Sequence, residues 1–410
     1  MARPMLVLTN ARIVDGTADR PTDPVSVVVE GGTIREVGPR AGAAGAETVD
    51  LAGRTLMPGL IDAHVHVVAS LANLGANAAL PDALTAHRAA HIMTAMLMRG
   101  FTTVRDVGGA THGLVRALEE GLFEGPRLVI SGKALGQTGG HTDFRGRFDD
   151  RPETGVRLGQ LGRLCDGVDA VRRAAREELK AGADFVKVMA NGGVASPTDP
   201  IHWLGFSRDE IRAAVEEAEN AGTYVAAHLY TDKAIRRAVE CGVHSLEHCN
   251  LIEAETARLA AAAGCVAVPT LVTYDALATE GASLGLPPDS VAKIETVRSR
   301  GLESLSIMRE AGLPMAYGSD LLGDMHRHQA NEFTIRGRVL PAQEVIASAT
   351  WLAARLLRQE GRIGTVAPGA WADMIVVDGN PLADLSLLTG QGRHIPAIMK
   401  GGRFVKGGRF

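Results

Sequence analysis

Between Leu60 and Leu352, short apolar runs of strand length alternate with longer Ala-, Arg- and Glu-rich stretches of helical period. That rhythm constrains the fold more than any other feature of the chain. The strand candidates are Leu60–His64, Thr102–Asp106, Arg127–Ser131, Phe185–Met189, Tyr224–His228, Val243–Leu246, Cys265–Pro269 and Met315–Gly318. Helical candidates separate them, among them Ala83–Met98, Asp169–Ala181, Arg208–Asn220, Lys233–Glu240, Glu253–Ala262, Asp289–Glu310 and Pro341–Leu352. Strand and helix in strict alternation over about 300 residues predict an α/β chain closed into a (β/α)8 TIM barrel. An open doubly wound sheet is disfavoured because no G-x-G-x-x-G follows the first strand. The ends read differently. Met5–Leu8, Val25–Val29, Thr33–Val37 and Thr48–Leu51 are β-rich, and so are Met374–Val377 and Ile395–Met399. They predict a small β-sandwich domain built from both termini, with residues 1–57 and 366–410 as its two parts and 58–365 as the barrel.

Composition excludes several classes of function. Hydrophobic residues are 46% and charged residues 22%, as in globular proteins. Lys plus Arg is 43 against 47 Asp plus Glu, so the basic excess of a nucleic-acid binder is missing. Aromatics are 4%, which argues against a base-stacking surface. The cysteines Cys165, Cys241, Cys249 and Cys265 form no C-x-x-C pair. The apolar run after Arg3 is broken too soon for a signal peptide, and no stretch approaches the roughly 20 residues that span a bilayer. The expectation is a soluble cytoplasmic protein with neither nucleic-acid nor membrane partners.

Barrel enzymes place their chemistry at the carboxyl ends of the strands. There the first strand carries His64 and His66, the fourth Lys187, the fifth His228, the sixth runs into His248, and the eighth into Asp320. Residues i and i+2 of an extended chain face one side, so His64 and His66 can hold one ion together. Each group has an ordinary alternative: a hydrogen-bonded core histidine, a solvated lysine, a capping aspartate. All the ordinary roles must hold at once to explain the set, which favours a metal site. Lys187 needs its own account, because an ammonium has no lone pair. Its free amine can take up CO2 as a carbamate, an anion with two oxygens that two divalent cations would favour. The prediction is a dinuclear centre, with His64, His66 and Asp320 on one ion, His228 and His248 on the other, and N-carboxylated Lys187 and a hydroxide between them. Imidazole with carboxylate suits Zn2+, and manganese, cobalt and iron are compatible.

These residues resemble the metal-dependent amidohydrolase superfamily. The carrying motifs are Met57-Pro58-Gly59-Leu60-Ile61-Asp62-Ala63-His64-Val65-His66, Phe185-Val186-Lys187, His228, His248 and Gly318-Ser319-Asp320. Pro368-Gly369-Ala370-Trp371-Ala372-Asp373-Met374 and Asp378-Gly379-Asn380-Pro381 complete them. Thr138-Gly139-Gly140-His141-Thr142-Asp143 and His228-Leu229-Tyr230 are similar to the branch of Xaa-Pro dipeptidase-like and N-acyl-amino-acid hydrolases, which includes ochratoxin-cleaving enzymes. The resemblance implies amide hydrolysis by a metal-bridging hydroxide, with Asp320 as base and then acid. It implies that His141 and Tyr230 meet the substrate's carbonyl or carboxylate, and that the protein is a homo-oligomer. The small-molecule substrate would be a dipeptide or N-acyl amino acid with a free carboxylate. Deaminases and imidazolone hydrolases of the superfamily usually use one metal and lack the strand-four lysine. Many carry a glutamate three residues after the strand-five histidine, where this chain has Thr231. A lactonase remains an alternative, as does a scaffold without catalysis, although no ligand is missing here.

Other features carry less. Arg145 and Arg147 are candidate carboxylate partners, with a solvated basic loop as the alternative. Asn191–Pro197 is a candidate pocket wall, and Thr273–Pro288 is either a lid or a surface connection. His87 and His91 lack the glutamate of H-E-x-x-H and read as surface or packing residues. His244 is a candidate support for the site, His326 and His328 are candidates for its rim, and Cys249 reads as a small buried residue.

Overall fold

The computed structural model describes residues 5–152 and 157–408, so the outer edges of the expected terminal segments lie outside the described residues. Five strands come from the amino-terminal end: β1 (Leu6–Ile13), β2 (Val25–Glu30), β3 (Thr33–Gly38), β4 (Glu47–Asp50) and β5 (Thr55–Pro58). The chain then enters nine short parallel strands: β6 (Leu60–Val65), β7 (Phe101–Asp106), β8 (Arg127–Ile130), β9 (Ala134–Gly136), β10 (Gly162–Leu164), β11 (Val186–Met189), β12 (Val225–Thr231), β13 (Ser245–Leu251) and β14 (Val266–Val268). It returns through β15 (Met374–Val377), β16 (Ala397–Lys400) and β17 (Arg403–Lys406).

The terminal strands pair in the order β17-β16-β15-β5-β1-β2-β3, with β4 beside β1. Strand β1 joins the two halves. Its first residues pair with β2 and β4, while Arg12 and Ile13 pair with β5. Leu8, Val27 and Ile34 from one half share a core with Leu56, Met374 and Met399 from the other. The expected β-domain from both termini is therefore present, with β5 and β17 added to the strands read from sequence.

The barrel departs from the expected eight even strands at the third and the eighth, and β10 is an added strand beside β9. The third strand is split. Gly132, at a φ of 67°, turns the chain between β8, which pairs with β7, and β9, which pairs with β11. Only glycine adopts that conformation without strain. The eighth strand shrinks to a single bridge, Ala267 to Met315. Hydrogen bonds still close the ring there: Ala316 N donates to Ala267 O (2.9 Å) and Ala63 N to Tyr317 O (2.8 Å). The strand stops because the amides of Ser319 and Asp320 both turn onto the His64 carbonyl, at 3.2 and 2.9 Å.

Two helices read as continuous are each broken. Asp289–Glu310 becomes Pro288–Arg298 and Gly301–Glu310, the break falling just before glycine, a poor helix former. Pro341–Leu352 becomes Ala342–Ser348 and Trp351–Leu356, because Thr350 leaves helical geometry and its hydroxyl reaches Asp15 O at 2.7 Å. The helix Arg208–Asn220 matches its expected bounds, started by a Ser207–Glu210 capping box. Ile61, Ala63, Ala226, Val266, Val268 and Ala316 form one apolar cluster, with Ala353 and Leu356 packed on it. In the chain, Ala63 and Ala226 directly precede or lie two before the polar groups His64 and His228. Among the described residues, no helix is long and apolar enough to cross a membrane.

Candidate active site

The strand-end groups converge. His64 Nε2 and His66 Nε2 lie 3.3 and 3.4 Å from one oxygen of Asp320, Oδ1. The three residues place a ligand atom each within 4.8 Å of the others. Each histidine's other nitrogen is occupied. His66 Nδ1 donates to Gly108 O at 2.8 Å, and His64 Nδ1 meets Glu247 Oε2 at 2.7 Å. Oxygens that can only accept fix the proton on Nδ1 and leave Nε2 with its lone pair. His248 Nδ1 lies 2.8 Å from Thr270 Oγ1 and 4.0 Å from Asp320 Oδ2. His228 is reversed: Nε2 faces Gly192 O at 3.3 Å, so Nδ1 is the free atom. The His248 ring centroid is 4.8 Å from that of His64 and 4.7 Å from that of His228. His248, Cys249 and Asp320 hold left-handed φ angles of 70°, 57° and 52°. Such conformations persist in bulky residues only where the surroundings impose them, and they concentrate at functional sites.

The charges suit a cation. Burial first, then the charges of neighbours including Lys187, hold His228 and His248 well below the usual imidazole range. Burial alone would raise the Asp320 carboxyl, but His64, His66 and His248 outweigh it and hold it well below the usual range. Lys187 is 1% exposed. Burial lowers its amine to about 8, against the opposing pull of Glu247 and Asp320. Among the described residues that amine has no hydrogen bond or ion pair. Two imidazoles held neutral by burial, two more beside an ionised carboxylate, and a buried amine lowered toward its free base make a donor set that fits divalent cations.

A polar scaffold fixes these groups. Asp62, fully buried, accepts from the His64 and Ser319 amides (3.1 and 3.2 Å), from Ser319 Oγ (2.5 Å) and from Gln329 Nε2 (2.9 Å). It thus ties the end of β6 to the residue before Asp320. Asp106 accepts from the amides of Val67, Gly108 and Ala110 and so sets the loop that holds His66. Glu247 joins His64 to Arg105, whose Nη2 donates to Glu247 Oε1 at 2.8 Å. Asn191 Oδ1 accepts from the amides of Tyr230 and Thr231, both at 2.8 Å. Tyr274 OH donates to Tyr230 OH at 3.1 Å. His141 stacks on His228 with centroids 4.1 Å apart.

His66, His141, Tyr230 and Asp320 open onto one cavity, with apolar walls that include Phe144, Leu161, Met189 and Leu322. Val194 and Ala195 of the Asn191–Pro197 loop line it. From the Thr273–Pro288 segment, Thr273, Tyr274 and Leu277 line it, so this stretch covers the site and does not merely connect elements. Arg145 does not reach this cavity. Its guanidinium pairs with Asp143 through two 2.8 Å hydrogen bonds. His244 packs on Tyr224, away from the cluster. His326 turns to Ala69 O (3.1 Å) and His328 to Glu280 (2.7 Å), and neither lines the site cavity. His87 is exposed and bonds to the Ala83 carbonyl of its own helix. Cys249 is fully buried. Thr231 caps the helix Asp232–Glu240.

A closed barrel with imidazoles and a carboxylate gathered at one end, and a β-domain from both termini, defines a barrel hydrolase. Residues 55–405 match the Amidohydrolase family, and the chain belongs to it. It is 53% identical to a crystal structure described as an amidohydrolase, over 98% of this chain and 99% of that one, with a TM-score of 0.97. It is 49% identical to a prolidase complexed with N-methylphosphonate-L-proline, again over 98% and 99%, with a TM-score of 0.97. Ochratoxinase of Aspergillus niger is 30% identical over 370 residues, 86% of this chain and 76% of that one. The resemblance read from the motifs, including its dipeptidase-like branch, is borne out.

Proposed function

We propose that the protein cleaves the amide bond of a dipeptide or an N-acyl amino acid with a free carboxylate, ochratoxin-type amides included, at a dinuclear centre. The ligands in this reading are His64, His66, His228, His248, Asp320 and N-carboxylated Lys187, and zinc is the ion the donors suit. The barrel, residues 58–365, is the catalytic unit, and residues 1–57 and 366–410 form the β-domain. The observation that carries the reading is the approach of Asp320 Oδ1 to two imidazole Nε2 atoms, 3.3 and 3.4 Å away, with the buried Lys187 amine in its field. Similarity to a prolidase and to ochratoxinase supports amide cleavage in particular.

When bound, the ion pair supplies hydroxide at neutral pH and polarises the substrate carbonyl. The Asp320 carboxylate takes the proton of the attacking water and returns it to the leaving nitrogen. Tyr230 stays protonated, because burial and then the charge of Asp320 push its phenol upward. It donates to the developing oxyanion, a role worth about 10²–10³-fold in turnover. His141 meets the substrate carbonyl or carboxylate. The apolar walls keep bulk water from the reacting bond.

Protein supplied with zinc and bicarbonate is expected to retain about two ions per chain and to hydrolyse members of a panel of dipeptides and N-acyl amino acids. Absence of metal uptake together with absence of turnover rejects the proposal. Asp320→Asn is expected to lower kcat by about 10³-fold with KM near the parent value, as steady-state kinetics would show. Undiminished turnover in that variant removes Asp320 from the proton transfers.

A further inference from the structure

A second polar cluster stands behind His141, and none of the proposed metal ligands uses it. His141 Nδ1 lies 2.7 Å from Ser196 Oγ and 3.6 Å from Asp199 Oδ2. Ser196 is fully buried and Asp199 is 2% exposed. Asp199 Oδ2 accepts from the Gly193 amide at 2.8 Å. Among the described residues its buried Oδ1 has no hydrogen-bond partner, and the Lys293 ammonium is 3.9 Å away. Lys293 donates instead to three carbonyls of the same loop, those of Gly193 (2.9 Å), Ser196 (2.7 Å) and Asp199 (3.0 Å). The loop is therefore pinned to the helix Pro288–Arg298. The His141 ring rests directly on the loop backbone, since a Cβ on Gly193 would fall 1.7 Å from His141 Nδ1.

A buried carboxylate oxygen without a donor is costly. Holding the Gly193 amide does not require a charge, because an amide oxygen would serve. What a carboxylate adds is a negative field 3.6 Å from His141 Nδ1, beside the Ser196 hydroxyl. Such a neighbour favours the tautomer with the hydrogen on Nδ1, and the ring can neither flip nor exchange tautomers freely. We propose that Asp199, acting with Ser196, is a positioning residue that fixes the proton on His141 Nδ1 and presents His141 Nε2 to the substrate. The proposal rests on reading His141 as a substrate contact.

The test uses full-length, zinc-loaded protein and the variants Asp199→Asn and Ser196→Ala, with melting temperatures as a fold control. Long-range ¹H–¹⁵N spectra report the imidazole tautomers, with the His141 signals assigned by their loss in His141→Asn. The parent should show one fixed tautomer, protonated at Nδ1. In Asp199→Asn the two nitrogen shifts should move toward each other, as they do on tautomer exchange, and Ser196→Ala should move them the same way. Unchanged His141 shifts in both folded variants overturn the proposal. Kinetics with Leu-Pro give the second readout. Asp199→Asn should lower kcat/KM about tenfold, in whichever of kcat and KM His141→Asn is also impaired, and the double variant should be no worse than His141→Asn alone. Additive losses overturn the coupling. If His141→Asn is fully active, the substrate-contact reading fails, while the tautomer spectra still decide whether Asp199 orients the ring.

Discussion

Lys187→Met is expected to give a well-folded protein that has lost nearly all turnover. In the parent, this side chain is 1% exposed and its amine, brought down to about 8 by burial, has no partner among the described residues. Methionine fills a similar volume without a charge. A buried amine without a hydrogen-bond partner is costly, and methionine removes that cost without leaving a bonded partner stranded. Metal-free Lys187→Met should therefore melt no lower than the metal-free parent. Function should move the other way. On the proposed dinuclear reading, loss of the bridging group should take bound metal from about two ions toward about one per chain. If several kcal/mol of charge stabilisation leaves with it, turnover should drop by roughly 10³-fold. Lys187→Ala opens space for a small carboxylate, and added acetate or propionate should restore part of the activity. Metal analysis, calorimetry and kinetics on the same preparations check all three points. A fully active Lys187→Met would show that position 187 contributes no bridging anion.

The convergence of these side chains was legible in sequence because they stand singly at strand ends, and strand ends are what alternating periodicity locates best. His64 and His66 were separated by one residue, and the rest by whole strand–helix units, so the barrel rule alone brought them together. The split third strand was not legible. Gly132 sits inside Arg127–Gly136 as one glycine among many, and only pairing with both neighbours shows that it breaks the strand. The eighth strand was overread, because Met315–Gly318 is apolar enough for a strand although its amides turn away at Ser319. The supporting groups were missed for a different reason. Asp199, Ser196 and Lys293 act across loops and helices remote in sequence, and nothing in local periodicity marks them. Glu247 and Arg105 did leave a signal. Each is a charged residue inside an otherwise strand-like run, Thr102–Asp106 and the stretch leading to His248. A buried charge needs a partner of opposite sign, and these two answer each other.

That pairing sets the largest stability effect we expect. Arg105 is fully buried, and its guanidinium reaches across the barrel to four groups. Nε donates to Ala63 O at 2.5 Å, Nη1 to Ser245 Oγ at 3.0 Å and Tyr224 OH at 3.3 Å, and Nη2 to Glu247 Oε1 at 2.8 Å. The guanidinium also lies 5.0 Å from the centroid of the Phe185 ring. Burial would raise the Glu247 carboxyl, but Arg105 and His64 overcome it and hold it far below the usual range. Arg105→Met removes the cation and leaves that carboxylate buried. Breaking a buried pair from one side typically costs about 3–5 kcal/mol, so denaturant midpoints should fall by a corresponding amount. Glu247→Gln added to Arg105→Met removes the stranded charge, and the double variant should be more stable than Arg105→Met alone. The same pair of variants separates stability from metal binding. Glu247 holds the proton on His64 Nδ1, so Glu247→Gln by itself should weaken metal binding by about 10–100-fold, the usual effect of losing a carboxylate behind a ligating histidine. Restored stability in the double variant, with metal affinity still reduced, would mean that Arg105 compensates the charge while Glu247 aims His64. A double variant as unstable as Arg105→Met would mean instead that the guanidinium's bonds to Ala63, Ser245 and Tyr224 hold the barrel together without regard to Glu247.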